Sequence, residues 1–144
     1  MTKSLKKIIP LLILLLITND SLADNYEILR VVDGDTIEIS APYLPYPLKP
    51  TIHLRISGLD TPEKTFRAQC TREASLAEDA TSFTKQSIKN AKEKIIIIEG
   101  EDKYFRLLGD IILDGKSLRE LLLEKNFAKP YYGAKKPDWC EKEH

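Results

Sequence analysis

The 144-residue sequence predicts a single α+β domain that combines five short strands with two helices. Three observations support this prediction. Short segments rich in β-forming residues show alternating apolar positions, which is typical of strands. One long segment without glycine or proline has apolar residues at three- and four-residue spacing, which is typical of an amphipathic helix. A chain of this length builds one hydrophobic core, so no second domain is expected.

The first three strands are predicted at residues 26–32, 36–40 and 51–57. Asp33-Gly34 separates the first two and is a strong hairpin signal. In the third strand Ile52, Leu54 and Ile56 alternate with Arg55, so we expect Arg55 to lie on the face opposite the core. The proline-rich residues 42–47 are interpreted as an exposed loop.

The first helix is predicted at residues 71–92, because its start has Glu73 in the first turn and its apolar residues recur with helical period. Two further strands follow at residues 95–99 and 105–113. A second helix is predicted at residues 117–125, with Ser117 as its N-cap. The order of three strands, a helix, two strands and a helix suggests a small closed barrel of the OB type.

The N-terminus has the pattern of a secretory signal. Lysines at positions 3, 6 and 7 precede an apolar stretch at residues 8–17, and a small-x-small end follows at residues 21–23. The alternative is a membrane anchor, but spanning a bilayer takes about 20 apolar residues. We expect cleavage after Ala23, a mature domain at residues 24–144, a periplasmic or secreted location and no stable membrane association after cleavage.

The charge of the chain is balanced, with 22 basic and 22 acidic residues. Loss of residues 1–23 would remove three lysines and one aspartate and leave a net charge of about −2. Proteins that coat nucleic acid usually carry a basic surplus. The composition therefore excludes a broad phosphate-binding field, and any phosphate recognition must come from a few placed cations, as in an enzyme that turns over.

Cys70 and Cys140 are the only cysteines in the sequence. An even number of cysteines in an exported chain favours a disulfide over a metal or redox site. Two free thiols are the alternative. A disulfide between them would close a loop of about 70 residues, which the chain-entropy model rates at about 4 kcal/mol.

Two acidic motifs and two arginines carry the predicted chemistry: Asp-Gly-Asp-Thr at residues 33–36, Asp-Thr-Pro-Glu at residues 60–63, Arg55 and Arg106. Either motif alone could be a simple turn with acidic residues. Together they supply oxygen ligands for a metal, one further carboxylate and two guanidinium groups. Metal-assisted attack on a phosphodiester needs these groups, because charge must be neutralised on the phosphate oxygens while a water molecule is activated.

Four segments in order, VVDGDTIEI, HLRISGLDTPE, DKYFRLLGDI and NFAKPYYG followed by WC, resemble the successive motifs of the thermonuclease family, the staphylococcal-nuclease-like nucleases. The resemblance runs from about Val31 to Trp139. It implies a five-stranded OB-type barrel packed with helices. It also implies a monomeric, Ca²⁺-dependent endonuclease that hydrolyses DNA and RNA and leaves 3′-phosphate ends.

The resemblance also implies a role for individual residues. Asp35 and Asp60 match the aspartates that ligate calcium, Thr61 matches the residue that offers its backbone carbonyl, and Asp33 matches a nearby acid that shapes the site. Two carboxylates and one carbonyl are too few for the six to eight oxygens that Ca²⁺ takes, so water and substrate phosphate would complete the shell. No His or Cys lies in these motifs, which disfavours Zn²⁺.

The remaining matches concern catalysis and substrate binding. Glu63 matches the proposed general base, and Arg55 and Arg106 match the arginines that hold the scissile phosphate. The predicted substrate-binding residues are Tyr104, Tyr131 and Lys103. Phe105 departs from the family, which often has glycine just before the second arginine.

Alternative interpretations remain open for some residues and for the function itself. His53 is interpreted as a packed or surface strand residue. Lys129, Lys135 and Lys136 either contact a single strand through the aromatic tail or form a solvated tail. In place of an endonuclease, the chain could be a non-catalytic OB-fold module that binds nucleic acid or a protein, or a calcium-binding scaffold protein without phosphodiesterase activity.

Overall fold

The computed structural model describes residues 26–141. Within them the elements follow in this order: β1 (Ile28–Asp33), β2 (Thr36–Ser40), β3 (Thr51–Ile56), β4 (Leu59–Asp60), a short 3-10 helix (Thr65–Arg67), α1 (Thr71–Asn90), β5 (Lys94–Glu101), β6 (Leu107–Leu113), β7 (Lys116–Ser117), α2 (Leu118–Glu124) and β8 (Lys129–Pro130). The predicted secretory signal at residues 1–23 lies outside the described residues.

The main sheet has the strand order β1-β2-β3-β6-β5, and β7 adds to β6. Neighbouring strands are antiparallel except for β3 and β6, which run parallel with Arg55 opposite Leu108. This pairing aligns the end of β3 with the start of β6, just after Arg106. The short strands β4 and β8 form a second, two-stranded antiparallel sheet.

The structure confirms the α+β class, with strands in mixed sheets and two α-helices. Within residues 26–141, no strand pairing joins β1 to β5 at the two edges of the main sheet. Closure of the sheet into a barrel therefore remains a prediction.

The core lies between the sheet and the two helices, since Ile88 of α1 and Leu118 and Leu122 of α2 belong to the same buried cluster as the strand residues. Ile37, Ile39, Leu54 and Ile56, which alternate along β2 and β3, are fully buried. The turn between β1 and β2 is held against α1, because the Thr84 hydroxyl donates a hydrogen bond to the Gly34 carbonyl at 2.7 Å.

Glycine is favoured at this turn by close packing. A Cβ atom on Gly34 would lie 3.0 Å from both the Ala80 side chain of α1 and the Thr61 side chain. The absence of a side chain at position 34 therefore lets the hairpin turn, the helix and the second acidic motif approach one another.

The helix starts follow the sequence signals. Helix α1 begins at Thr71, where the Cys70 sulfur accepts a hydrogen bond from the Glu73 backbone N–H, and it ends at Asn90 rather than at residue 92. Helix α2 has Ser117 as its N-cap, as predicted, and the Ser117 side chain accepts from the Glu120 backbone N–H at 3.1 Å.

The structure has eight strands where five were predicted, because the two-residue strands β4, β7 and β8 were not expected, and several predicted bounds also differ. Strand β6 begins at Leu107 instead of residue 105, because Asp102 Oδ1 accepts the backbone N–H groups of Tyr104 and Arg106 and turns the chain there. The tail, for which the sequence showed no regular period, contributes the short strand β8, which pairs with β4. Among residues 26–141, no helix is both long and apolar enough to cross a lipid bilayer.

Candidate active site

Arg55 joins two buried carboxylates. Its Nη1 atom lies 2.8 Å from Asp35 Oδ1, and its Nη2 atom lies 3.2 Å from Asp60 Oδ1. The side chains of Asp35 and Asp60 are only 3% and 2% exposed. The hairpin turn after β1, the end of β3 and the short β4 supply these three residues, so regular backbone structure fixes their positions.

Asp35 is held by further hydrogen bonds. Its Oδ1 atom accepts from the Thr36 hydroxyl at 2.9 Å, and its Oδ2 atom accepts from the Thr61 backbone N–H at 3.3 Å. Burial raises the pKa of Asp35 to about 7, and nearby Asp33 adds to the rise, although Arg55 and the Thr36 hydroxyl act in the opposite direction. A bound cation would lower the pKa of Asp35 again, because positive charge favours the ionised carboxylate.

The donor set suits a hard cation better than a soft one. It consists of carboxylate oxygens, and Asp33 Oδ1 is buried without a hydrogen-bond partner among the described residues. A buried acceptor without a donor is satisfied when a cation or water lies beside it. No group of three or more His, Cys, Asp or Glu side chains within residues 26–141 forms a ready-made metal site. The residues thus fit Ca²⁺ only with added water or phosphate oxygens.

A residue of helix α1, Glu73, positions the backbone of Glu63. Its backbone N–H donates to Glu73 Oε1 at 3.1 Å, and Glu73 Oε2 accepts the Gln69 backbone N–H at 2.7 Å. The buried Glu73 therefore anchors the loop that carries Glu63. The Glu63 carboxylate itself is 28% exposed and lies 2.7 Å from the Lys136 ammonium and 3.8 Å from Arg67 Nη1.

Arg106 is held by Asp102, four residues earlier in the same turn. The guanidinium donates to Asp102 Oδ2 through Nε at 2.8 Å, and its Nη2 atom lies 2.6 Å from the same oxygen. Burial alone would raise the pKa of Asp102, but its hydrogen bonds with Arg106 and Tyr104 outweigh burial and lower it. The guanidinium also lies 5.5 Å from the centre of the Tyr104 ring.

These groups line one open cleft of about 980 Å³. The cleft is bordered by most of the residues predicted for catalysis, metal binding and substrate binding: Asp35, Arg55, Thr61, Glu63, Lys103, Tyr104, Arg106 and Tyr131. Asp60 is buried, and it contacts Arg55 and Lys136, which both line the cleft. His53 also borders the cleft, with a 40% exposed side chain 4.0 Å from Glu38.

Residues 131–141, which we name the C-terminal strap, reach this site from the end of the chain. A disulfide between Cys70 and Cys140 ties the strap to the start of α1, as the sequence favoured. Trp139 is 6% exposed, and its indole N–H donates to Asp60 Oδ2 at 3.4 Å. Burial lowers the pKa of Lys136, but its contacts with Glu63 and Asp60 outweigh burial and raise it above its usual range.

The family model described as staphylococcal nuclease homologue matches residues 53–144, which is more than half of the chain. The chain belongs to the staphylococcal nuclease family. The match covers Arg55, Asp60, Glu63 and Arg106. The hairpin turn with Asp35 precedes it, so the placement of Asp35 beside Arg55 rests on the structure.

Individual relatives agree with this family. Endonuclease YncB of Bacillus subtilis is 32% identical over 105 residues, which is 72% of this chain and 46% of YncB. The SPbeta prophage-derived endonuclease YokF of the same species is 32% identical over 106 residues, covering 72% of this chain and 33% of YokF. The thermonuclease of Staphylococcus hyicus is 30% identical over 105 residues, covering 72% of this chain and 57% of that protein. The chain thus spans between a third and somewhat more than half of these relatives.

Four residues take part in the site of this staphylococcal nuclease domain in ways that the sequence did not predict: Glu73, Asp102, Lys136 and Trp139. Lys136 was expected only to contact a single strand or to lie in a solvated tail. Asp102 carried a usable signal, since it lies four residues before Arg106 and between the strands predicted at residues 95–99 and 105–113. The contacts of Lys136 and Trp139 with residues 60 and 63 had no local signal, because they span more than 70 positions of sequence.

Proposed function

We propose that this protein is an exported, Ca²⁺-dependent endonuclease that hydrolyses phosphodiester bonds in DNA and RNA and leaves 3′-phosphate ends. One observation carries the proposal. Asp35 and Asp60 bracket Arg55, and this group shares a single cleft with Glu63 and Arg106. Family membership and the endonuclease relatives support the reaction class.

Asp35, Asp60 and the Thr61 carbonyl would hold the Ca²⁺. The ion would supply positive charge beside the scissile phosphate and orient water there. Burial of the two carboxylates supports this assignment, since burial strengthens their attraction for a cation. The partnerless Asp33 oxygen adds a further acceptor at the same cleft.

Glu63 would act as the general base. Its backbone is anchored by Glu73, while its carboxylate remains partly exposed to the cleft where a water molecule can reach it. A carboxylate in this role contributes about 10²–10⁴ in rate, because it accepts the proton that the attacking water loses. Its contact with Lys136 must open for the carboxylate to accept that proton.

Arg55 and Arg106, which both line the cleft, would bind the phosphate. Each guanidinium has five N–H donors, and neither has all of them engaged in the carboxylate contacts described above. Removal of either should cost about 10²–10³ in rate, judging from the loss of comparable donors to a charged transition state.

The substrate-binding residues proposed are Tyr104, Tyr131 and Lys103, which all border the cleft. Tyr104 is 67% exposed, so its ring is available for stacking on a base. Stacking is tolerant of base identity and of sugar type, which supports cleavage of both DNA and RNA. The 3′-phosphate ends follow from resemblance to the family alone.

Export and barrel closure are also proposed. A disulfide is typical of proteins in oxidising compartments, and it agrees with the secretory pattern of residues 1–23. The strand order β1-β2-β3-β6-β5, with β3 parallel to β6, is compatible with a sheet that curls into an OB-type barrel.

The proposal is tested by incubating the purified full chain with plasmid DNA and single-stranded RNA, in Ca²⁺ and in chelator. Glu63→Gln and Arg106→Ala should each lose at least about a hundredfold in rate. Glu78→Gln, an exposed change on α1, is the matched control and should retain the rate. Products should support primer extension only after treatment with a 3′-phosphatase.

A different outcome would identify the alternative function. A wild-type chain that binds nucleic acid but cuts neither substrate with any divalent ion would be a binding module, and the nuclease proposal would be wrong. Cleavage that continues in chelator would contradict the metal dependence alone.

A further inference from the structure

Asp60, one of the proposed calcium ligands, already has a donor at each carboxylate oxygen. Its Oδ1 atom lies 3.2 Å from Arg55 Nη2 and 3.4 Å from Lys136 Nζ, and its Oδ2 atom accepts from Trp139 Nε1 at 3.4 Å. The carboxylate is 2% exposed, so it has little room for an additional ligand. A metal ion that binds Asp60 Oδ1 would compete with Arg55 and Lys136, which both already lie beside that oxygen.

Lys136 is the donor that moves at the lowest cost. The Arg55 side chain is 16% exposed and also bound to Asp35, and Trp139 is 6% exposed beside the disulfide. The Lys136 side chain is 51% exposed, and its four-carbon stem can swing into solvent. Its ammonium is strongly hydrated in water, which offsets the lost contacts.

The same ammonium also binds Glu63, at 2.7 Å from Oε1. While the ammonium occupies Oε1, that oxygen is not available to accept a proton from a water molecule. Departure of Lys136 from Asp60 would therefore open the metal ligand and free the base together.

We propose that Lys136 is an autoinhibitory cation: in the metal-free protein its ammonium bridges Asp60 and Glu63, and it leaves both when a divalent cation binds. The inference rests on the proposed function for the identity of the metal ligands and the base. The C-terminal strap keeps the lysine near the site in both states, because Cys140 is bonded to Cys70.

Metal affinity measured without nucleic acid tests the proposal. Calcium would be titrated into the full chain by calorimetry, and in parallel by the emission of Trp139, the single tryptophan, which contacts Asp60. Lys136→Met should bind Ca²⁺ about tenfold more tightly than the wild type, because no ammonium has to be drawn away from the Asp60 and Glu63 carboxylates before the ion binds. Lys135→Met, an exposed change at the adjacent position, should leave the affinity unchanged.

A conservative variant separates charge from packing. Lys136→Arg keeps the positive charge and should stay within about threefold of the wild-type affinity, whereas Lys136→Gln should behave like Lys136→Met. Circular dichroism would verify that each variant is folded, which is expected because the side chain is half exposed.

Three outcomes would overturn the inference: unchanged or weaker calcium binding by Lys136→Met, equal gains in Lys135→Met, or no calcium binding by any of the proteins. Failure of the proposed function is distinguishable. A chain that gains calcium affinity in Lys136→Met but never cuts nucleic acid would retain the autoinhibitory lysine and lose only the nuclease assignment.

Discussion

Two regions meet at the cleft, and they are built in different ways. The Arg55 group with Asp35 and Asp60 stands on β3, β4 and a hairpin turn, and its side chains are almost fully buried. The C-terminal strap has one short strand before it and is held by a disulfide, a buried tryptophan and an exposed lysine. The first region is fixed by backbone pairing. The second depends on a few long-range contacts and is easier to release.

The largest effect is expected from removing the Arg55 guanidinium, which lies in the region built from β3, β4 and the hairpin turn. Arg55→Met leaves two buried carboxylates without their shared cation, which should cost about 3–5 kcal/mol in free energy of unfolding. Arg106→Met is the matched comparison and should cost about 1 kcal/mol, because Arg106 and Asp102 are more exposed. Both variants should lose activity. Equal losses of stability in urea unfolding with chelator would contradict this distinction.

Release of the strap should have the next largest effect. Replacing both Cys70 and Cys140 by serine opens a link between residues separated by 70 positions and should lower the free energy of unfolding by about 2–4 kcal/mol. The emission of Trp139 should shift to the red as the ring leaves its buried position. Emission that stays unchanged in this variant would mean that the strap is held by its own contacts.

The pH dependence of the unfolding free energy should distinguish buried Asp35 from exposed carboxylates. The pKa of Asp35 is about 7 in the metal-free fold, against 3.8 as its ordinary value. The folded state thus holds this proton more tightly, so the contribution of Asp35 to stability is present below about pH 4 and lost as pH rises to about 7.

Urea unfolding in chelator checks this dependence. From pH 5 to pH 8, wild type should lose at least about 1 kcal/mol of unfolding free energy relative to Asp35→Asn, which does not titrate. A constant difference between the two proteins would contradict the raised pKa of Asp35.

The smallest effect is expected at the outer edge of the site. Arg67 Nη1 lies 3.8 Å from Glu63, and the Arg67 side chain is 65% exposed. An ion pair of this kind contributes about 0–1 kcal/mol, so Arg67→Ala should leave urea unfolding nearly unchanged. A loss as large as that of Arg55→Met would show that the loop carrying Glu63 depends on this arginine.

The strand-built region could be predicted from the sequence in large part. Alternation along residues 52–56 separated Arg55 from the core, and the two acidic motifs follow strands whose order placed them near one another. Ser117 signalled the start of α2 through ordinary capping chemistry. These signals are local, and each depends on residues within a few positions.

The contacts of the strap could not be predicted, because no local pattern specifies them. Lys136 and Trp139 contact residues 63 and 60 across 73 and 79 positions of sequence, so these contacts depend on the tertiary fold. The start of β6 was misplaced for a related reason. Phe105 adopts a positive φ of 59°, since Asp102 engages the backbone on both sides of it, and such a conformation is uncommon outside glycine.

The parallel pairing of β3 with β6 has a consequence for how the cleft comes into being. It joins residues about fifty positions apart, and it alone aligns the end of the strand carrying Arg55 with the strand that follows Arg106. The two arginines therefore line the same cleft only when β6 is paired with β3. A chain that ended before residue 107, or an unfolded chain, would contain both acidic motifs. It would lack the cleft that brings them together with Arg106.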